Sequence, residues 1–401
     1  MIDIDREYWI PIILRACEHY ETPFFLFSQM PIRKKLDCII EACGYSVTNW
    51  LSFKTLPLPS VLRWWLKTGS GVEVVSEYEL LAACQEGFSS DRIIVNGVAK
   101  HSWRESCWVD GLRVNFDSVR EIQSLAPVAK SKGWRVGIRF HPSIQNDPEN
   151  QEYPDQFGIP ADTFQHACNL LREKQIELDT IHIHLRSNVP NAICFRTALD
   201  ELELSLKQTN VEFHCIDLGG GLPVEEVRQL DPSWHSTFSL EDLSRLLRYC
   251  QETFPRVQEY ILENGRFVLS GCGVLVLTVK DIKDIGGFRY LICDGGRTNH
   301  ALPSDWEEHE IDILPNRTGA QVHTAICGPT CMAFDCISRR NLASSVSVGD
   351  KVVWFNAGAY HLSWENQFSQ PLARVLWHDD DENILEVRPT ESFSKWWGRW
   401  R

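Results

Sequence analysis

The chain has 401 residues, 43% of them hydrophobic, and a formal charge of −14 at pH 7. Its length exceeds one ordinary compact domain and points to two, while the acidic balance argues against nucleic-acid partners, which demand many cationic phosphate contacts. No apolar run reaches transmembrane length and no basic-then-apolar leader opens the chain, so a cytoplasmic protein without membrane partners is expected. The fourteen cysteines are scattered, with no CxxC pair, and read as reduced thiols rather than a disulfide framework.

Residues 1–20 read as a helix with Tyr8, Ile12, Ile13 and Cys17 on one face. A short buried strand, 24–27, and a helix carrying Ile32, Leu36, Ile39, Ile40 and Cys43 follow. A strand–helix rhythm then begins. Strands are expected at 50–54, 71–76, 92–97, 112–117, 135–140, 180–185, 214–218 and 259–264. Helical patterns at 77–86, 119–125, 161–173, 194–206 and 240–251 separate most of them. Apolar strands alternating with helices imply a parallel sheet, and eight of them close a (β/α)8 TIM barrel. Past residue 267 the rhythm changes. Segments 268–279, 288–293, 321–327, 351–355 and 372–376 read as strands without intervening helices, divided by turn residues such as Gly286-Gly287 and Gly349-Asp350. The expected division is α/β: a barrel over 28–267, and a mostly antiparallel β domain from 1–27 and 268–401.

Active sites of such barrels lie where the strands end, so the residues there carry the chemistry. Lys54 closes the first strand, where a desolvated amine can become a nucleophile toward a carbonyl; a lysine stem covering apolar surface is the structural alternative. Glu73 and Arg139 lie on the second and fifth strands, and His184 and Ser187 follow the sixth. Gly219-Gly220-Gly221 follows the seventh, where converging amides can hold an anion. Glu263, Gly265 and Arg266 end the eighth. Ser187 and Arg266 could join the same anion site, and a buried Glu263 makes sense opposite a cation such as a protonated pyridine nitrogen. A Schiff-base lysine, a phosphate cradle and a carboxylate for a ring nitrogen together specify pyridoxal phosphate. No metal site is expected, because the spacing of Cys327, Cys331 and Cys336 fits no zinc pattern. Three tryptophans at the C-terminus (Trp396, Trp397, Trp400) suggest an anchor onto the protein body, or a lid or partner contact.

The motifs TPFFLF, LSFK, SGVEVVSEYEL, HIHLRS, DLGGGLP, ENGR, CDGG, CGPTCMAFD and NAGAY stand in order along the chain. In them the sequence resembles the fold-type III pyridoxal-phosphate-dependent decarboxylases, the group of the ornithine, arginine and diaminopimelate enzymes. The resemblance implies an alanine-racemase-like barrel plus a β domain, and a homodimer with shared active sites. It implies that Lys54 carries the cofactor, His184 stacks on its ring and Glu263 pairs with the ring nitrogen. Gly219 to Gly221, Ser187, Gly265, Arg266 and Tyr360 would hold phosphate, with Glu73 and Arg139 around lysine and ring. Cys331 would return a proton to the substrate carbon after carbon dioxide leaves, a task that suits a thiol of ordinary pKa about 8.5. Met332, Asp335 and Leu302 would face substrate.

Departures from the family pattern bear on the substrate. Met332 stands where diamine-forming relatives usually carry an acidic residue, and Leu302-Pro303 where diaminopimelate decarboxylases usually carry Arg-Pro. Both remove charge from the distal pocket, and burying an unpaired ammonium or carboxylate is costly. The expectation is decarboxylation of an amino acid with an apolar, neutral or conjugated distal end, carrier-linked for example, in specialised biosynthesis of a siderophore or antibiotic type. Alternatives are a decarboxylase of free ornithine or diaminopimelate, a racemase or epimerase, and a non-catalytic regulator. Arg186, in place of a usual glycine, could crowd the phosphate or reach substrate.

Overall fold

A computed structural model describes residues 5–44, 46–143, 155–209 and 211–401; residues 1–4 of the expected first helix lie outside them. The chain divides into two compact units, Lys35–Pro223 with Ser233–Phe267, and Met1–Lys34 with Val224–Pro232 and Val268–Arg401. The boundary after Lys34 leaves most of the first turns of the second helix with the β unit, and the excursion Val224–Pro232 was not foreseen. That excursion contributes a strand, Arg228–Gln229, which pairs with Glu307–Glu308 inside the β unit.

The first unit is a closed barrel. Its strands are β1 (Thr48–Ser52), β2 (Gly71–Val74), β3 (Ile93–Val95), β4 (Arg113–Phe116), β5 (Arg135–His141), β6 (Leu178–His182), β7 (Cys215–Asp217) and β8 (Glu259–Asn264). Each pairs in parallel with its neighbours, and β8 with β1 closes the ring. Outward residues such as Leu51, Val72, Val74, Val95, Val114, Ile138, Ile181 and Ile216 are fully buried, which is why the strands read as apolar runs. Inward positions differ by height. Trp50, Ile94, Cys215 and Ile261 pack as an apolar floor. Two residues further along the same strands come Ser52, Asn96, Asp217 and Glu263, all buried. Period-two alternation thus stacks a polar layer on an apolar one.

Prolines lie inside helices of the barrel unit. Pro59 is the first residue of the helix Pro59–Lys67, a position where its missing N–H costs nothing. Pro127 likewise lies within the helix Val119–Ser131, which runs past the expected end at 125.

The β unit is built on a nine-stranded, mostly antiparallel sheet. The early strand Phe24–Ser28 sits inside it, antiparallel to Gly273–Ile285 and parallel to Arg374–His378. Strands Ile311–Leu314, Cys336–Ala343 and Ile384–Arg388 also belong to this sheet. They escape a sequence reading because many of their side chains are only half buried or exposed, which erases the hydrophobic alternation. The C-terminal helix Phe393–Gly398 leaves Phe393, Trp397 and Trp400 exposed.

Candidate active site

Lys54 lies one turn beyond β1, in the 3-10 segment Phe53–Thr55 rather than in the strand itself. Its Nζ is 2.7 Å from Glu73 Oε2 and 2.8 Å from Ser52 Oγ, and Ser52 Oγ donates to the same carboxylate oxygen at 2.6 Å. The Glu73 carboxylate is buried, whereas 39% of the Lys54 side chain remains exposed. A buried carboxylate therefore aims a reachable amine at the barrel mouth.

Glu263 projects from β8 into the polar layer. Asn96 donates its amide to Glu263 Oε1, and also to Glu73 Oε1 at 3.3 Å; Asn115 in turn donates to Asn96 Oδ1 at 2.9 Å. Nε2 of His182 lies 3.6 Å from Glu263 Oε1. Burial first, then the Asp217 and Glu73 carboxylates, raise the proton affinity of Glu263 well above the ordinary glutamate range. Asp217 is pushed up to about 7, chiefly by burial. Three carboxylates share one low-dielectric layer, and a cationic ring N–H is the kind of group that would keep Glu263 ionised.

His184 follows β6. Its Nδ1 accepts the Gly220 N–H at 3.1 Å, so the ring is held in a set orientation. Burial, then the Arg139 and Lys54 charges, push its pKa down to about 3. It is a neutral, flat ring suited to stacking. Arg139 is half buried, lies 4.5 Å over the Phe157 ring and reaches the His184 carbonyl at 3.5 Å.

The glycine run follows directly from β7. Asp217 Oδ1 accepts from Gly219 N at 2.9 Å. Gly219 and Gly221 have φ of 65° and 103°, values that L side chains rarely adopt. A Cβ on Gly219 would meet His184, and one on Gly221 the Arg186 carbonyl. This loop and residues Leu262 to Phe267 line a narrow crevice of about 10 Å³. Gly265 and Arg266 belong to that wall, and Ser187 is half buried in the loop after β6.

Arg186 neither crowds that cavity nor faces outward. Its guanidinium donates to the carbonyls of Ser187, Asn188 and Ser233 at 3.0 to 3.1 Å and lies 4.7 Å over the Trp234 ring. Sequence reasoning missed Asn96 and Asn115, because single asparagines on short apolar strands carry no motif. Only the alternation that places them beside Glu263 marks them.

The remaining expected residues belong to the β unit. Cys331 is exposed in the loop between strands Gln321–Cys327 and Cys336–Ala343. Asp335 is buried and spends its carboxylate on that loop: Oδ1 accepts from Arg297 N at 2.8 Å, Oδ2 from Thr330 N and Oγ1 at 3.0 and 2.6 Å. That carboxylate staples the loop that carries Cys331. Tyr360 has φ of 66° and leads into the helix His361–Trp364. Leu302, Met332 and Asp335, with Phe334, Trp364, Phe368 and Arg297, line a second cavity of about 380 Å³. The Arg297 guanidinium there is paired with Asp305.

Whether the barrel layer suits pyridoxal phosphate is answered by its donors: a reachable amine, a neutral stacking ring, a buried carboxylate of raised proton affinity and a glycine cradle. They fit. Residues 31–270 match the family model described as pyridoxal-dependent decarboxylase, pyridoxal binding domain. The chain is 27% identical to the diaminopimelate decarboxylase of Zymomonas mobilis, over 93% of this chain and 91% of that protein. It is also 27% identical to the L-glutamyl-[BtrI acyl-carrier protein] decarboxylase of Niallia circulans, over 88% and 87%. Among solved structures it is similar to diaminopimelate decarboxylase from Helicobacter pylori complexed with L-lysine: TM-score 0.84, 21% identity, 97% of this chain and 99% of that one.

Proposed function

We propose that this chain, which belongs to the pyridoxal-dependent decarboxylases and is a pyridoxal-phosphate-dependent amino-acid carboxy-lyase, acts on an amino acid whose distal end is neutral or covalently masked. One observation carries the reading. The cavity of the β unit is walled largely by Leu302, Met332, Phe334, Trp364 and Phe368; its arginine is paired with Asp305, and its one carboxylate, Asp335, is occupied by the Arg297 and Thr330 N–H groups and the Thr330 hydroxyl. A free distal carboxylate or ammonium would be desolvated there without a partner. The 27% identity to a decarboxylase whose substrate is an aminoacyl group on a carrier protein supports it. The competing substrate, diaminopimelate, is favoured by the names of the relatives from Aquifex aeolicus and Zymomonas mobilis.

The cofactor supplies an electron sink for the pair left behind when the carboxylate departs. Lys54 is the residue that would hold it, positioned by Ser52 and Glu73. Glu263, oriented by Asn96, would hold a proton on the ring nitrogen. His184, neutral at working pH, would lie against the ring face. The Gly219–Gly221 amides, with Ser187, Gly265, Arg266 and Tyr360, would bind phosphate. Cys331 of the partner subunit would donate the proton that replaces carbon dioxide; its exposure on its own unit leaves it open to a second copy.

The test is carbon dioxide release from a matched set: free diaminopimelate, ornithine and glutamate, and the same amino acids joined through the distal group to a pantetheine thiol or a carboxylic acid. The reading expects kcat/KM for a conjugate to exceed that for its free amino acid by about 100-fold, the worth of one unpaired buried charge. Faster turnover of a free amino acid contradicts it. Leu302→Arg should shift preference toward diaminopimelate.

A further inference from the structure

Away from the barrel, three histidines of the β unit are buried against one another. His300 ends the helix Arg297–His300, His309 stands just before the strand Ile311–Leu314, and His361 opens the helix His361–Trp364. None is more than 1% exposed. Their ring centroids are 4.8 to 5.2 Å apart, and one ring nitrogen from each lies within 4.8 Å of the others.

Protons alone account poorly for this packing. His361 Nδ1 is 3.0 Å from the Ala359 carbonyl and must donate to it. Its Nε2 then accepts from His300 Nδ1 at 2.7 Å. That leaves His300 Nε2 as a lone pair, fully buried and without a hydrogen-bond partner. His309 meets an acceptor at each nitrogen: the Phe355 carbonyl at 2.8 Å from Nδ1, and Glu307 Oε2 at 3.1 Å from Nε2. Two of the three rings thus have Nδ1 pinned by a backbone carbonyl and Nε2 turned inward, the arrangement that fixes the tautomer of metal-ligating histidines. A buried carboxylate stands beside them.

We propose that His300, His309 and His361, with the Glu307 carboxylate, bind one divalent transition ion of the zinc class. Three imidazole nitrogens and one carboxylate oxygen suit Zn2+ in tetrahedral coordination. Four protein ligands and complete burial leave no open position, so the ion fastens two short helices to the sheet rather than taking part in a reaction. Metal–nitrogen bonds of about 2.0 to 2.1 Å require the inward nitrogens to stand slightly further apart than the present His300–His361 contact. Small ring rotations supply that. Binding replaces the His300–His361 hydrogen bond: a flip of the His300 ring turns its lone-pair nitrogen, in place of Nδ1–H, toward the ion and frees the His361 Nε2 lone pair, and the Glu307 charge offsets part of the charge of the ion and of Arg340, which donates to the His309 carbonyl at 3.0 Å.

The experiment uses untagged, full-length, cofactor-loaded protein. Metal content is measured by plasma mass spectrometry after dialysis, and chelator-stripped protein is then titrated with Zn2+ alone and Co2+ alone. About one ion per chain is expected, with a rise of several degrees in Tm and the visible bands of tetrahedral Co2+. Uptake should be lost in His309→Gln and in His361→Gln while the bound-cofactor absorbance remains. Folded protein that takes up neither ion overturns the proposal. So does uptake unchanged in both variants, which would place the ion elsewhere. If the variants do not fold, the Co2+ spectrum of the native chain decides: imidazole-type tetrahedral bands support the site, and their absence rejects it.

Discussion

Glu263, Asp217 and Glu73 crowd three carboxylates into one buried layer, and their protons are the most telling residue-scale property of the barrel. The pKa of Asp217 is pushed from the usual 3.8 up to about 7, mainly by burial. A carboxyl whose folded value is raised stabilises fully below its unfolded value and loses that contribution as pH rises through the folded one. In cofactor-free protein, Asp217→Asn should therefore gain thermal stability relative to the native chain as pH rises from about 4 to about 8; parallel pH profiles in calorimetry would show that Asp217 ionises normally. Glu263→Gln keeps the shape but removes the charge that would face the ring nitrogen. It should lower turnover about 100-fold or more while retaining the cofactor's visible absorbance; near-native turnover would refute that pairing. At this scale Lys54, His184 and Glu263 stand out in the sequence because each is a polar anomaly at or just past the end of an apolar strand. Asn96 and Asn115 were not, since their meaning depends on which neighbour the barrel brings alongside. Asp335 was legible as a motif position; the two backbone amides and the hydroxyl that hold its carboxylate were not.

Elements place these groups by simple rules. Strands β1, β3, β7 and β8 each put an apolar residue in the floor and a polar one two positions on, so the site is a layer of the barrel as much as a set of loops. The glycine turn after β7 is the sharpest local constraint. Gly221→Ala would bring Cβ onto the Arg186 carbonyl at a φ of 103°. It should weaken cofactor binding by about tenfold or more, the loss of one hydrogen bond to a charged group, read by fluorescence titration; unchanged affinity would show that the cradle lies elsewhere. A second element-scale device is the wholly buried pair Lys100–Glu121, at 2.7 Å. Glu121 also accepts the backbone N–H groups of Lys100 and Asp117, tying the segment after β3 to the helix Val119–Ser131. Lys100→Met should cost about 3–5 kcal/mol in urea unfolding, because it strands a buried carboxylate, and adding Glu121→Gln should recover part of that. The barrel strands were legible to within a few residues because helices cover them. The edges of the β unit were not, because half-exposed strands such as Cys336–Ala343 have no one-sided pattern to read.

For the whole molecule, the two units divide the labour. The barrel unit carries the groups that suit the cofactor, and the β unit carries Cys331 and the cavity from which the substrate proposal is drawn. The excursion Val224–Pro232, which leaves the barrel to pair within the β unit, carries no boundary signal in its composition. The three buried histidines were hidden for a similar reason: positions 300, 309 and 361 acquire a common centre only once helix, loop and strand are folded together. Among the described residues no helix is long and apolar enough to cross a membrane. At the C-terminus Phe393, Trp397 and Trp400 are exposed, while Trp396 is half buried.

The most direct measurement is peptide mapping by mass spectrometry after borohydride treatment of the yellow, cofactor-loaded enzyme. The account predicts a single reduced pyridoxyl adduct on Lys54, with loss of activity in step with labelling. An adduct on any other lysine, Lys100 of the same barrel included, would contradict it.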